Sequence, residues 1–239
     1  MKRKILIFIP VYNEEKNIKK IIFSIFKNFN NRINILFIDD NSQDKTQQQI
    51  GKLKKKYKNI FLHTRPKKLG IGSAHKKAFL IAKKKKYKYL VTMDCDGTHN
   101  PYYIDKLFKS QKKKNSEIVT TNRFLVKDSL NSWSTWRKIL TWMRHLLIKV
   151  VLKINYDSSG AFRLYNLNLI KTKDFMSAKH NGYSFFWESI YLLHKKKYKI
   201  SQIPIRLPGR MIGKSKMRFS DVLDALIYLI QIYFTKNAK

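Results

Sequence analysis

Two carboxylates one residue apart, Asp94 and Asp96 in MDCDGTHNP, are the sharpest chemical feature of the chain. They follow the apolar run Tyr89–Met93, which reads as a strand, so both side chains can project together from a strand-to-turn segment. Paired carboxylate oxygens suit a hard divalent cation, and such a cation in turn bridges a diphosphate. Cys95 between them points the opposite way in an extended segment and is a poor metal ligand. IPVYNEEKNI and FIDDNSQDKT follow the first and second apolar runs, which places their polar residues on the same sheet edge as Asp94. Asn13, Ser42 and Asp44 have the chemistry of helix caps, but capping does not require the doubled Asp39–Asp40. RPKKLGIGSA adds Arg65, Lys67 and Lys68 ahead of two glycines that open a helix, a loop able to face phosphate.

The elements that must position these residues follow from hydrophobic periodicity. Strands are predicted at Ile5–Val11, Ile33–Ile38, Ile60–His63, Tyr89–Met93 and Glu117–Thr121. Between them, Ile18, Ile21, Ile22, Ile25, Phe26 and Phe29 mark one helix face, Thr46, Ile50, Leu53 and Tyr57 a second, and Ala74, Ala78, Phe79 and Ala82 a third. Pro101 sits where a helix tolerates it, in the first turn of the next. Alternating strands and helices imply an α/β fold with a mostly parallel central sheet flanked by helices. KKKYK recurs at 54–58, 84–88 and 195–199, each time between a helix end and a strand start. Lysines there meet the negative end of the helix dipole, so solvated helix ends are the simplest reading.

Two later segments are amphipathic. Positions 133, 136, 140, 143, 147, 150 and 154 form an apolar stripe, with Arg137, Thr141 and Arg144 on another face of the same helix. Near the C-terminus, Asp221, Asp224, Tyr228, Gln231 and Thr235 make a narrow polar stripe on an otherwise apolar helix, which protein or lipid must cover.

Composition bounds the function. The 239 residues are enough for one generous domain. Lys and Arg number 51 against 15 Asp and Glu, a net charge of +36 that favours anionic partners: nucleic acid, an anionic membrane surface or phosphorylated small molecules. One cysteine excludes an intramolecular disulfide and fits a reducing, cytosolic setting. The N-terminal apolar run stops at Pro10 without a cleavage site, and no stretch approaches the roughly 20 apolar residues of a spanning helix.

Taken together, IPVYNEEKNI, DDNSQDKT, RPKKLGIGSA and MDCDGTHNP resemble family 2 glycosyltransferases of the GT-A fold. WRKILT, SGAFRLY, GYSFFWE and PIRLPGRMIGKSKM, in that order, are similar to the dolichyl-phosphate (polyprenyl-phosphate) mannosyltransferase group. The resemblance implies a single GT-A domain over residues 1–218, including an interface helix at about 133–154, and a C-terminal amphipathic helix with a basic tail over 219–239. It places Pro10, Tyr12, Glu14, Asp39 and Asp40 at the base and ribose of the nucleotide, and Asp94, Cys95 and Asp96 at its metal and diphosphate. Thr98 stands where relatives often assist the metal, with a side chain short enough to act only through water. Arg123, Arg137 and Thr141 fall on the acceptor phosphate site, and Arg210 and Lys216 on a loop that closes over the diphosphate. Asp96, Arg123 and Arg137 are the implied catalytic residues. Arg163 and Glu188 match as well, and a buried salt bridge is their simplest explanation.

The implied reaction moves mannose from GDP-mannose to a polyprenyl phosphate, with inversion and a divalent ion, Mg²⁺ or Mn²⁺. A phosphate monoester is already anionic at neutral pH and needs no general base. The implied setting is peripheral, on the cytosolic face of a membrane, with a small anchoring subunit as a further partner. The alternatives are transfer of glucose or N-acetylglucosamine from a UDP-sugar, to polyprenyl phosphate or to a hydroxyl. Outside the enzyme class stand a nucleic-acid-binding module and an inactive transferase-like domain. No nucleic-acid motif is present, and none of the chemistry calls for a specific nucleic acid.

Overall fold

In ILIFIPV, Leu6 and Phe8 are buried on one side and Ile7, Ile9 and Val11 on the other, a pattern that only a sheet covered on both faces produces. The computed structural model describes residues 5–29, 33–210, 212–213 and 216–237. Its strands are β1 (Ile5–Val11), β2 (Asn34–Asp39), β3 (Ile60–Thr64), β4 (Tyr89–Thr92), β5 (Ile118–Asn122), β6 (Arg163–Asn166) and β7 (Ile200–Pro204). They form one seven-stranded sheet in the order β3-β2-β1-β4-β6-β5-β7. Every neighbouring pair is parallel except the two made by β6, which runs antiparallel to β4 and β5. The chain leaves β1 for β2 on one side and returns to β4 on the other. That switch point opens a crevice at the carboxyl ends of β1, β2 and β4.

One face of the sheet is covered by α1 (Glu15–Phe29), α2 (Thr46–Lys56) and α4 (Tyr103–Lys114). Ile18, Ile21, Ile22 and Ile25 point inward from α1 at the expected spacing, with Phe26 and Phe29 packed at the margin. The other face carries α3 (Ile71–Lys84), α6 (Thr172–Phe175) and α7 (Phe185–Lys195), with parts of α5 (Thr135–Leu152) and α8 (Phe219–Asn237). There the rings of Phe79 and Phe175 stack 3.9 Å apart. Truncating either to alanine should cost about 3–5 kcal/mol. The KKKYK segments do lie at helix ends: α2, α3 and α7 each carry lysines in their last turn.

The two amphipathic helices depart from core packing. α5 buries Thr141, Ile148 and Leu152, while Trp136, Leu140, Met143, Leu147 and Val150 of the apolar stripe face solvent. α8 turns the N-terminal part of its polar stripe toward the protein: Asp224 pairs with His180 at 2.9 Å, and the Tyr228 hydroxyl donates to Glu188 at 2.7 Å, while Gln231 and Thr235 are exposed. Its outer face exposes Leu223, Leu226, Ile227, Ile230 and Phe234. No helix among the described residues is long and apolar enough to cross a membrane.

Candidate active site

The switch-point crevice is a cavity of about 320 Å³ whose lining includes Pro10, Tyr12, Glu14, Asp40, Asp94, Cys95, Asp96, Arg137, Arg210 and Lys216. The β1–α1 and β2–α2 loops that shape it are stitched to each other. The Asn13 amide donates to the Ser42 hydroxyl at 2.9 Å, and the Glu14 amide to the Thr46 hydroxyl at 2.8 Å. Asp44 accepts from the first amides of both helices, Glu15 at 3.1 Å and Thr46 at 2.9 Å. Burial opposes its ionisation, but the bonds from Thr46 and Glu15 hold it below the usual carboxylate value.

The doubled aspartates divide their work. Asp39 is fully buried and accepts from the Ser42 amide at 3.0 Å and from Gln47 at 2.7 Å, so it braces the loop and stays out of the cavity. Asp40 lines the cavity, pairs with Arg65 at 2.7 Å and accepts from the Leu69 amide at 2.8 Å. Arg65 is engaged with Asp40, Ser73 and the Gly70 carbonyl, and lines the cavity together with Lys68 of the same loop. Gly70 has φ +90°, and a Cβ there would lie 2.5 Å from the Asn181 carbonyl oxygen. The glycine serves close packing of α3 on the 181–185 segment. Lys68 sits 4.8 Å from the ring centre of Tyr12, at one end of the crevice.

At the other end, Asp94 and Asp96 face Glu14 and Arg210. Arg210 bonds directly to Glu14 and lies 3.6 Å from Asp96, while its Nε donates to the Ile212 carbonyl at 2.8 Å. Burial raises the pKa of Asp94, and the charges of Asp96 and Glu14 add to this against His99 and Arg210. A bound cation would reverse that balance. Among the described residues no three His, Cys, Asp or Glu side chains form a ready metal cage. Two cavity-facing carboxylates nevertheless fit an ion that takes one or two protein oxygens and completes its shell with phosphate oxygens and water. The Thr98 hydroxyl donates to Asp96 at 2.6 Å, an orienting contact on the carboxylate. The Asp94 amide donates to His99 Nδ1 at 2.9 Å, and the same nitrogen lies 3.6 Å from the Asp94 carboxylate. The Cys95 thiol is buried and pushed well up by that burial, unreactive toward a metal.

Arg123 follows β5 at the same sheet edge and lines a neighbouring cavity of about 270 Å³ with Phe124, Leu130, Lys138 and Trp142. Arg137 lines the first cavity and stacks 3.7 Å above the Trp133 ring. Partial burial and the Arg123 charge lower its pKa, against attraction to Asp96. Arg137 thus lies electrostatically between Arg123 and the acid cluster. Thr141 is buried one turn along α5.

Arg163 and Glu188 do not pair, which corrects the expected salt bridge. Arg163 donates to the carbonyls of Ser158 at 2.6 Å and Phe186 at 2.8 Å, tying β6 to α7. Glu188 accepts from the amides of Lys179 and His180 and from Tyr228. Sequence reasoning missed Tyr183, Asp221 and Asp157. Tyr183 and Asp221 line the first cavity, where burial and the Asp221 and Asp94 charges push the tyrosine up to about 12. Asp157 is a buried partner of Arg123. With only 15 acidic residues against 51 cations, a carboxylate in NYDSSG was the available signal.

The sheet order with an antiparallel β6, and carboxylates at the switch point, define a GT-A-like transferase fold. Glucosyl-3-phosphoglycerate synthase from Mycobacterium tuberculosis, solved with Mn²⁺, UDP-glucose and phosphoglyceric acid, matches with a TM-score of 0.68 at 14% identity, over 97% of this chain and 80% of that one. TarS 1–349 from S. aureus matches with a TM-score of 0.54 at 17% identity, over 84% of this chain and 58% of that one. The chain belongs to glycosyl transferase family 2, whose sequence profile matches residues 6–173. Two curated relatives are each 24% identical over 94% of this chain: an undecaprenyl-phosphate mannosyltransferase from Micrococcus luteus, with 91% of its length covered, and a polyprenol monophosphomannose synthase from Mycolicibacterium smegmatis, with 84% covered.

Proposed function

We propose that this glycosyltransferase moves mannose from GDP-mannose to the phosphate of a polyprenyl phosphate, at a membrane surface and with Mg²⁺ or Mn²⁺. The observation that carries the proposal is the adjacency of carboxylates and arginines: Glu14, Asp94 and Asp96 in one cavity, which Arg137 also lines, and Arg123 in the neighbouring one. The names of both curated relatives support the lipid acceptor and the sugar.

Asp94 and Asp96 would hold the divalent ion, which when bound neutralises the diphosphate leaving group. Tyr12 and Asp40 line the nucleotide end, and Arg210 and Lys216 close over the diphosphate. Arg123 and Arg137 orient the acceptor phosphate and offset its repulsion from the donor. Direct attack by that phosphate gives inversion, and no side chain has to remove a proton. The exposed apolar faces of α5 and α8, on a chain of charge +36, support docking on an anionic membrane surface. Residues 1–218 then form the catalytic unit, with α8 and the tail beyond it, of which 238–239 lie outside the described residues, as a peripheral attachment. A small anchoring subunit would act on the same faces.

A transfer assay with purified protein, a short polyprenyl phosphate and either metal tests this, offering labelled GDP-mannose, UDP-glucose and UDP-N-acetylglucosamine separately. Label reaching lipid from GDP-mannose alone supports the proposal. Transfer from a UDP-sugar overturns the donor, and no transfer to lipid from any donor overturns the acceptor.

A further inference from the structure

Asp157 lies in the turn between α5 and β6 with its side chain 1% exposed. Its Oδ2 accepts from Arg123 Nε at 2.6 Å and from the Arg123 amide at 3.2 Å. Its Oδ1 accepts from the Ser159 hydroxyl at 3.1 Å, and that hydroxyl accepts from Arg144 Nη2 at 3.2 Å. Gln202 on β7 holds the assembly from behind, accepting from the Asp157 amide at 3.2 Å and from the Asn122 side chain at 2.7 Å. A Cβ on Gly160 would lie 3.3 Å from Arg123 Nη2, so the glycine leaves room for the guanidinium.

The form of the contact is informative. An ion pair that serves stability alone favours the two-pronged fork, with both carboxylate oxygens on the guanidinium. Here the carboxylate takes only Nε and the backbone, and the terminal nitrogens of Arg123 have no hydrogen-bond partner among the described residues. A guanidinium carries five N–H groups, so four remain for an anion. Charge points the same way. Arg123, Arg137 and Arg144 act on one another; Asp157 opposes Arg123 and Arg144, while Arg137 is drawn to Asp96. Burial and the two other arginines lower Arg144 to about 10, which leaves it cationic at neutral pH. Two arginines share Asp157 and the third lies toward Asp96, so the cluster keeps a cationic excess that a phosphate monoester, at roughly −1.5 to −2, would offset.

We propose that Asp157 is the positioning residue of the acceptor site: braced by Ser159 and Arg144, it fixes Arg123 side-on, so that both terminal nitrogens are presented to the acceptor's phosphate. The assignment rests on the acceptor proposed above.

Farnesyl phosphate binding to the full chain in detergent, measured by calorimetry beside Mg²⁺-GDP binding and transfer kinetics, tests it. Asp157→Ala should weaken farnesyl phosphate about tenfold and raise the acceptor KM similarly, with GDP affinity unchanged. Arg123→Ala/Asp157→Ala should bind no more weakly than Arg123→Ala, because Asp157 acts only through Arg123. A penalty that persists without Arg123, or unchanged binding by Asp157→Ala, overturns the positioning role alone. If Asp157→Ala does not fold, Ser159→Ala releases one oxygen and should weaken binding about threefold, and no change overturns the proposal. A wild-type chain that binds Mg²⁺-GDP but not farnesyl phosphate overturns the acceptor and this role together.

Discussion

The two ends of one sheet edge are electrostatic opposites. At the ends of β1, β2 and β4, Glu14, Asp94 and Asp96 converge and Arg210 reaches across to them. After β5, Arg123 and Arg144 converge on Asp157, and Arg137 lies between them and Asp96. Around Asp94 and Asp96 the carboxylates outnumber their partner Arg210, an excess that a metal would offset, and around Arg123 the arginines outnumber Asp157, an excess that a phosphate would offset. Under the proposed function two anionic substrates meet here, and a metal-holding acidic end beside a basic end would receive each without a moving part.

Acid should separate the two ends most strongly. His75 packs edge-on to Phe8 and Phe186 behind the first cavity, and burial with the Arg163 charge lowers it to about 3. The unfolded chain binds that proton first, near 6.5. The His75 contribution to stability is therefore full above pH 6.5 and is lost with acidification toward pH 3, a change of several kcal/mol. Urea unfolding at pH 7, 6, 5 and 4 should show this slope, and His75→Leu should flatten it. Asp157 behaves differently. Burial would raise it, but the Arg123 charge and hydrogen bonds bring it below its ordinary 3.8, so its contribution is lost only as pH falls through that lower value.

Next in size, Asp96→Asn should reduce turnover about 10³-fold while farnesyl phosphate affinity stays within about twofold. A comparable loss of acceptor affinity would break the division between the ends. Arg210→Ala leaves three neighbouring carboxylates without their cation. Donor nucleotide affinity should fall about thirtyfold, and the melting temperature in metal-free buffer should drop and recover on adding Mg²⁺. The smallest effect belongs to the apolar surface: Trp136→Ser should weaken binding to anionic vesicles about fivefold and leave transfer to a short acceptor in detergent intact.

Legibility in the sequence follows burial. β1 and α1 were readable because isoleucines at period two and period 3.6 have no polar competitor. β2 was displaced by one residue, since Asp39 completes the strand while its side chain is satisfied by Ser42 and Gln47. β6 was not readable: RLYN carries a fully buried arginine, and its antiparallel run between β4 and β5 depends on carbonyls supplied by Ser158 and Phe186. At the site, Asp94, Asp96 and Asp40 announced themselves by spacing, whereas the outward face of Asp40 and the inward face of Asp39 were indistinguishable. Arg144 was grouped with Arg137 and Thr141 by helical period, but the carboxylate that organises it lies in a separate turn.

Local chemistry in the chain alone determined the alternation of strands and helices, the acidic ends of β1, β2 and β4, the basic helix termini and the two amphipathic helices. Tertiary structure decided what had to be brought together across distance. Arg210 reaches Glu14 from 196 residues away, Asp157 meets Arg123 across 34, and α8 turns the N-terminal part of its polar stripe inward because Glu188 and His180 wait for it there. Periodicity encodes which face of an element is apolar. Which charge meets which is set by the order of strands in the sheet, and no local pattern carries that order.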